Sequence, residues 1–149
     1  MNKQKVMKWA LPALLMSALT FELMPGSVNY YAKGVATLPE TAWNFFNLPT
    51  QDMAASCLIL AGTVTLIAMV LALVALCFKK KDMYKLISWC SLAAGSLAAV
   101  PYIVATAEEL LQPNVVVLLI LVAAWLLALA LDKGKDAVEK AEPKNRRLK

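Results

Sequence analysis

A chain of 149 residues with 60% hydrophobic residues, only 17% charged residues and a mean hydropathy of +0.63 is too apolar for a soluble globular domain, where about a quarter of residues are charged. The net charge of +5 would suit nucleic acid in a soluble protein, but here the basic residues flank apolar runs, where membrane topology uses them, so nucleic-acid binding is set aside. With no histidine and three cysteines outside any CxxC pair, no metal or redox constellation and no cofactor is expected.

The first apolar stretch, residues 6–24, follows Lys3 and Lys5 and includes Lys8. It reads as a membrane span or a signal peptide. Because Ala18-Leu19-Thr20 is a poor cleavage site and nothing better is near, an uncleaved span is expected. Glu22 is the one acidic residue inside an apolar stretch, which makes it a functional candidate by default. It stands just before Met24-Pro25-Gly26, where the helix should stop, so its carboxylate is expected to snorkel to interfacial water. Ion or proton handling is the alternative.

Residues 25–52 form the one long connection, too long for an idle turn. Tyr30, Tyr31, Trp43, Phe45 and Phe46 give it an aromatic character, and with Glu22 they are the candidate partner or interface residues. Short strands at 27–31 and 41–46 are one reading, since aromatic residues suit a half-buried pleated surface. Aromatic rings dipping into the headgroups or packing over the bundle mouth, an exposed partner site, and a ligand site are the others.

Met53–Phe78 carries no charge and is closed by Lys79, Lys80 and Lys81. At about 1.5 Å per residue it reaches about 39 Å, enough to cross a hydrocarbon core of about 30 Å. Ala61, Thr65, Ala68, Ala72 and Ala75 recur at spacings of four and three, a seam of small residues for helix packing. Cys57 has no cysteine at its own end of the bundle to bond with. After a basic turn at 79–85 the chain returns as a third span, 86–107, with Tyr84 and Trp89 as anchors. Ser91, Gly95 and Ala99 form a close-contact series, and Pro101 is expected to kink the helix. Residues 108–114 read as a turn before a fourth span, 115–131. The remainder, 132–149, reads as a basic, largely disordered tail with at most a short helical piece at 137–141.

The expected fold is therefore an all-α, four-helix transmembrane bundle occupying residues 1–131. Charge fixes the expected orientation. Lys3, Lys5, Lys8, the four lysines of the 79–85 turn and the seven basic residues of the tail lie on one side, leaving only Lys33 on the other. The positive-inside rule makes both termini cytoplasmic, in the plasma membrane.

Leu19-Thr20-Phe21-Glu22-Leu23-Met24-Pro25 closing the first span, a long first loop with Trp43 and Phe45-Phe46, a lysine-rich inner turn and a basic tail resemble small four-span membrane proteins of unknown function in Gram-positive bacteria. The outline is also similar to the claudin-type tetraspan architecture. The claudin loop pattern of Trp, Gly-Leu-Trp and a cysteine pair is absent, since this loop has Trp43 and no cysteine, so the resemblance implies architecture and no activity. Without an acid/base or nucleophile constellation, an enzyme is not expected. The expectation is a non-catalytic scaffold or accessory protein showing an aromatic external loop. Its partners would be the lipid bilayer, a membrane or cell-envelope protein, or further copies of itself. A small transporter or holin-like oligomeric pore using Glu22 is the alternative.

Overall fold

The computed structural model describes residues 3–25, 27–32, 44–48, 53–78, 83–104 and 109–146. In chain order these form α1 (Lys3–Leu23), β1 (Val28–Ala32), α2 (Met53–Phe78), α3 (Met83–Val104), β2 (Glu109–Pro113) and α4 (Val115–Arg146). Each helix is long and apolar enough to cross a membrane, over Gln4–Leu23, Met53–Phe78, Met83–Val104 and Val115–Gly134. The expected all-α four-helix bundle is the fold.

Helix follows helix around the bundle: α1 packs on α2, α2 on α3, α3 on α4 and α4 back on α1. Small side chains make this closeness, because lipid gives helices no hydrophobic reason to associate and packing must supply the energy. On α2 the inward face is Ala61, Thr65, Ala68, Ala72 and Ala75, all buried, while Leu60, Leu66, Ile67 and Val70 point outward. Several hydroxyls within the helices are satisfied locally. Ser17, Thr20, Thr63, Thr65 and Ser91 each lie 2.8 to 3.0 Å from the carbonyl four residues earlier, which can take their proton where lipid offers no acceptor.

The core divides along the bundle axis. One cluster, with Leu11, Leu15, Ala72, Ile87, Ala128 and Leu131, fills the end where α1 and α3 begin; the other, with Ala18, Leu58, Ala61, Ala94, Ala98 and Leu121, fills the end that carries the loops. We call these the lysine end and the ribbon end.

Three boundaries differ from the sequence reading. The third helix begins at Met83 rather than 86, since Tyr84 turns inward and is buried, extending the packed face by a turn. Its expected last residues, 105–107, lie outside the described residues. The fourth helix does not stop at 131 before a largely disordered tail; it runs on to Arg146. Most residues there are good helix formers.

A strand does form close to 27–31, as β1, but its partner lies elsewhere in the chain. It pairs antiparallel with β2, Val28 opposite Pro113 and Ala32 opposite Glu109, and so ties the first loop to the second. The stretch 108–114 is more than a turn. The second expected strand, 41–46, is not one where it is described: 44–47 is a tight turn closed by an Asn44 to Asn47 bridge, and 41–43 lie outside the described residues.

Candidate functional site

The end of α1 sets the site. A helix leaves its last four carbonyls without internal partners, and a buried end needs others to satisfy them. Loop residues do so here. The Phe21 carbonyl accepts the Met24 N–H at 3.3 Å; the Glu22 carbonyl accepts the Phe45 N–H at 3.1 Å and the Ser27 hydroxyl at 3.2 Å; the Leu23 carbonyl accepts the Asn44 side-chain amide at 3.3 Å. Asn44 also folds the turn, its Oδ1 accepting the N–H groups of Phe46 and Asn47, each at 2.9 Å. On the other loop, Asn114 caps α4 by accepting the Val116 N–H at 3.0 Å, and its own N–H donates to the Ser27 carbonyl at 2.8 Å. The Tyr102 hydroxyl donates to the Pro113 carbonyl, holding β2 to α3.

Capped in this way, α1 ends at Leu23, close to the start of α4, where Asn114 bonds the Ser27 carbonyl. The Glu22 side chain is fully buried, and the Thr65 hydroxyl donates to its Oε1 at 2.8 Å. Its Oε2 is buried without a hydrogen-bond partner. Thr65 is the thirteenth of the 26 residues of α2 and stands about 18 Å from either end of that helix. The contact therefore joins the last turn of α1 to the middle of α2. The expectation that Glu22 snorkels to interfacial water is overturned. Side chains on a helix tilt toward its N-terminus, so a residue at the C-terminal turn of α1 points back into the bundle, away from the nearby loop. An anion at that terminus would also meet the negative end of the helix dipole.

The aromatic candidates separate. Phe45 is fully buried in the ribbon-end cluster, so it is a core residue and not an exposed partner contact. Phe46 is 40% exposed, and its ring lies on Gly62 of α2: a Cβ at Gly62 would stand 2.5 Å from the ring. Sequence reasoning passed over Gly62, although a lone glycine inside an apolar helix signals a close approach. Tyr30 and Tyr31 lie in β1, opposite Leu111 and Leu110. Trp43 lies outside the described residues.

The small-residue series on α3 needs adjustment. Ser91 is buried, but the buried face continues through Ala94, Ala98 and Pro101, not through Gly95 and Ala99. Gly95 and Ala99 line an open groove of about 240 Å³ against Leu121 and Trp125 of α4, where a Cβ on Gly95 would meet Leu121 at an ordinary 3.8 Å. Among the described residues no cluster of three or more His, Cys, Asp or Glu side chains could hold a metal ion. Cys57, Cys77 and Cys90 are free thiols.

Compared with known protein families, with curated proteins and with solved structures, the chain matches none.

Proposed function

We propose that the protein is a non-catalytic scaffold or accessory subunit of the plasma membrane that holds a rigid head of loop residues outside the cell. The observation that carries this reading is the stitching of the two loops into one unit. β1 pairs with β2, Asn114 bonds Ser27, and the 44–47 turn is fastened to the end of α1. Such bracing fixes a surface in one shape before a partner arrives, which lowers the ordering cost of binding. Phe46, 40% exposed, is an aromatic side chain of the kind that dominates interface energies, and Trp43 stands three residues before it in sequence. The resemblance to small four-span proteins of Gram-positive bacteria, and a membrane or cell-envelope protein as the partner, belong to the same reading.

The basic residues support an orientation with both termini in the cytoplasm. A cysteine placed at Lys33 should then react with an impermeant thiol reagent in intact cells, and one at Lys81 should not; the reverse pattern would overturn the orientation.

A photo-crosslinking residue at Phe46 should capture a defined partner in living cells, and Trp43→Ala combined with Phe46→Ala should abolish partner capture by the tagged protein while the bundle still melts cooperatively. A second reading, a small transporter, draws on the burial of Glu22. Proton-coupled flux in reconstituted vesicles that stops with Glu22→Gln, together with no crosslinked partner, would replace the scaffold reading with that one.

A further inference from the structure

A hydroxyl carries one proton, yet Thr65 Oγ1 stands 2.8 Å from Glu22 Oε1 and 3.0 Å from the Ala61 carbonyl oxygen, two acceptors for one donor. Were Glu22 ionised, Thr65 could serve only one of them at a time. Oε2 would remain the bare oxygen of an anion, buried without a donor. With a proton on Oε1 the arrangement closes. The carboxyl O–H donates to Thr65 Oγ1, Thr65 donates to Ala61, and Oε2 is a neutral carbonyl oxygen, far less costly to leave unpaired.

We infer that Glu22 is a proton-binding site buried in the ribbon end of the bundle, holding its proton toward Thr65 and releasing it only when the 44–47 turn lifts. A metal cation is a poor fit, because one carboxyl and one hydroxyl offer three oxygens where a dehydrated divalent ion takes about six. No second titratable group faces the carboxyl among the described residues. The core cluster at this end of the bundle is apolar, with Ala18 on α1, Ala61 on α2, Ala94 and Ala98 on α3, Val117 on α4 and Phe45 from the turn; besides Glu22 and Thr65, the buried polar side chains among the described residues, Ser27, Ser88 and Ser91, are hydroxyls.

The link to the turn follows from what holds it. The Glu22 carbonyl accepts the Phe45 N–H, and the Leu23 carbonyl accepts the Asn44 amide, so the residue that carries the proton also anchors the turn. An ionised Glu22 needs water at Oε2, and this turn is irregular backbone bonded directly to Glu22 that can yield to water. The inference stands under either functional reading, since it concerns a proton and a loop and needs neither a partner nor a flux.

The test uses the full chain in lipid vesicles near neutral pH. Infrared difference spectra between the wild type and Glu22→Gln should show the carbonyl band of a protonated carboxylic acid, sensitive to deuterium and present only in the wild type. Thr65→Val should move that band, and Thr65→Ser should restore it. A wild type lacking the band, or a band indifferent to Thr65→Val, would overturn the assignment. Hydrogen exchange at the Phe45 amide tests the coupling: after correction for intrinsic rates, protection should fall about tenfold as pH rises in the wild type and stay constant in Glu22→Gln. Gln keeps the shape of the acid and can donate an amide N–H to Thr65, so it should fold. Matching pH profiles for the two proteins would sink the coupling of proton and turn.

Discussion

The two halves of the bundle are built on different terms. At the lysine end, Leu11, Leu15, Ala72, Ile87, Ala128 and Leu131 close the core with helix side chains alone. At the ribbon end the helices leave a core that only loop residues complete: Phe45 and Val28 enter the same cluster as Ala61, Ala94 and Leu121. The difference follows from where helices stop. At the lysine end, residues 4 and 134 meet side by side, since a Cβ on Gly134 would stand 3.5 Å from the Gln4 side chain. At the ribbon end the last carbonyls of α1, which lipid cannot satisfy, draw in Asn44, Phe45 and Ser27. A membrane bundle can thus seat loop residues in its core where they cap a helix end.

The sharpest way to break this contrast is to remove the loop residue that acts as core. Phe45→Ala should lower stability by about 3 kcal/mol, read as an earlier thermal melt in detergent, because a fully buried ring leaves a cavity that its neighbours only partly fill. A melt unchanged from the wild type would mean that the ribbon-end core closes without the loop.

Next in size is the polar contact within that half. Thr65→Val should cost about 1 kcal/mol, since it strips the only hydrogen bond the Glu22 carboxyl has, whereas Thr63→Val, at an exposed hydroxyl that bonds its own helix, should leave the melt nearly unchanged. Equal melts for the two would show that the Glu22 to Thr65 contact carries no weight.

The smallest effect sharpens the boundary between the halves. Gly95→Ala should be neutral or raise stability by up to about 1 kcal/mol, because a new methyl meets Leu121 at 3.8 Å and alanine suits a helix better than glycine. A clear loss would show the groove beside Trp125 to be tighter than this geometry gives.

How far the sequence reached can be judged from these same residues. Four apolar runs and a three-and-four seam of small residues made the bundle and the inward face of α2 readable, because length and period are local signals. Strand β1 was within reach through its aromatic residues, but its pairing was not: Leu110 and Leu111 in five residues bounded by Glu109 and Pro113 look like a turn, and only the meeting of two loops makes them a strand. Glu22 was found as a candidate and then misplaced. Its distance from Pro25 along the chain suggested the interface, while the tilt of side chains toward the helix N-terminus, equally readable, pointed inward. The burial of Phe45 had no local signal, since a Trp-Asn-Phe-Phe run looks the same whether it caps a helix or greets a partner.

The ribbon also carries a consequence for the order in which the chain assembles. Val28 cannot find Pro113 until two further helices, α2 and α3, have been made and have crossed. The lysine-end contacts between α2 and α3 join neighbours in sequence and can form as soon as that hairpin is inserted, whereas the ribbon closes a loop spanning most of the protein, the slow kind of contact in folding. During synthesis the first loop is therefore left waiting with β1 unpaired, and a chain that ends before β2 would keep an open strand edge at the membrane surface, where an edge from another copy could pair with it instead.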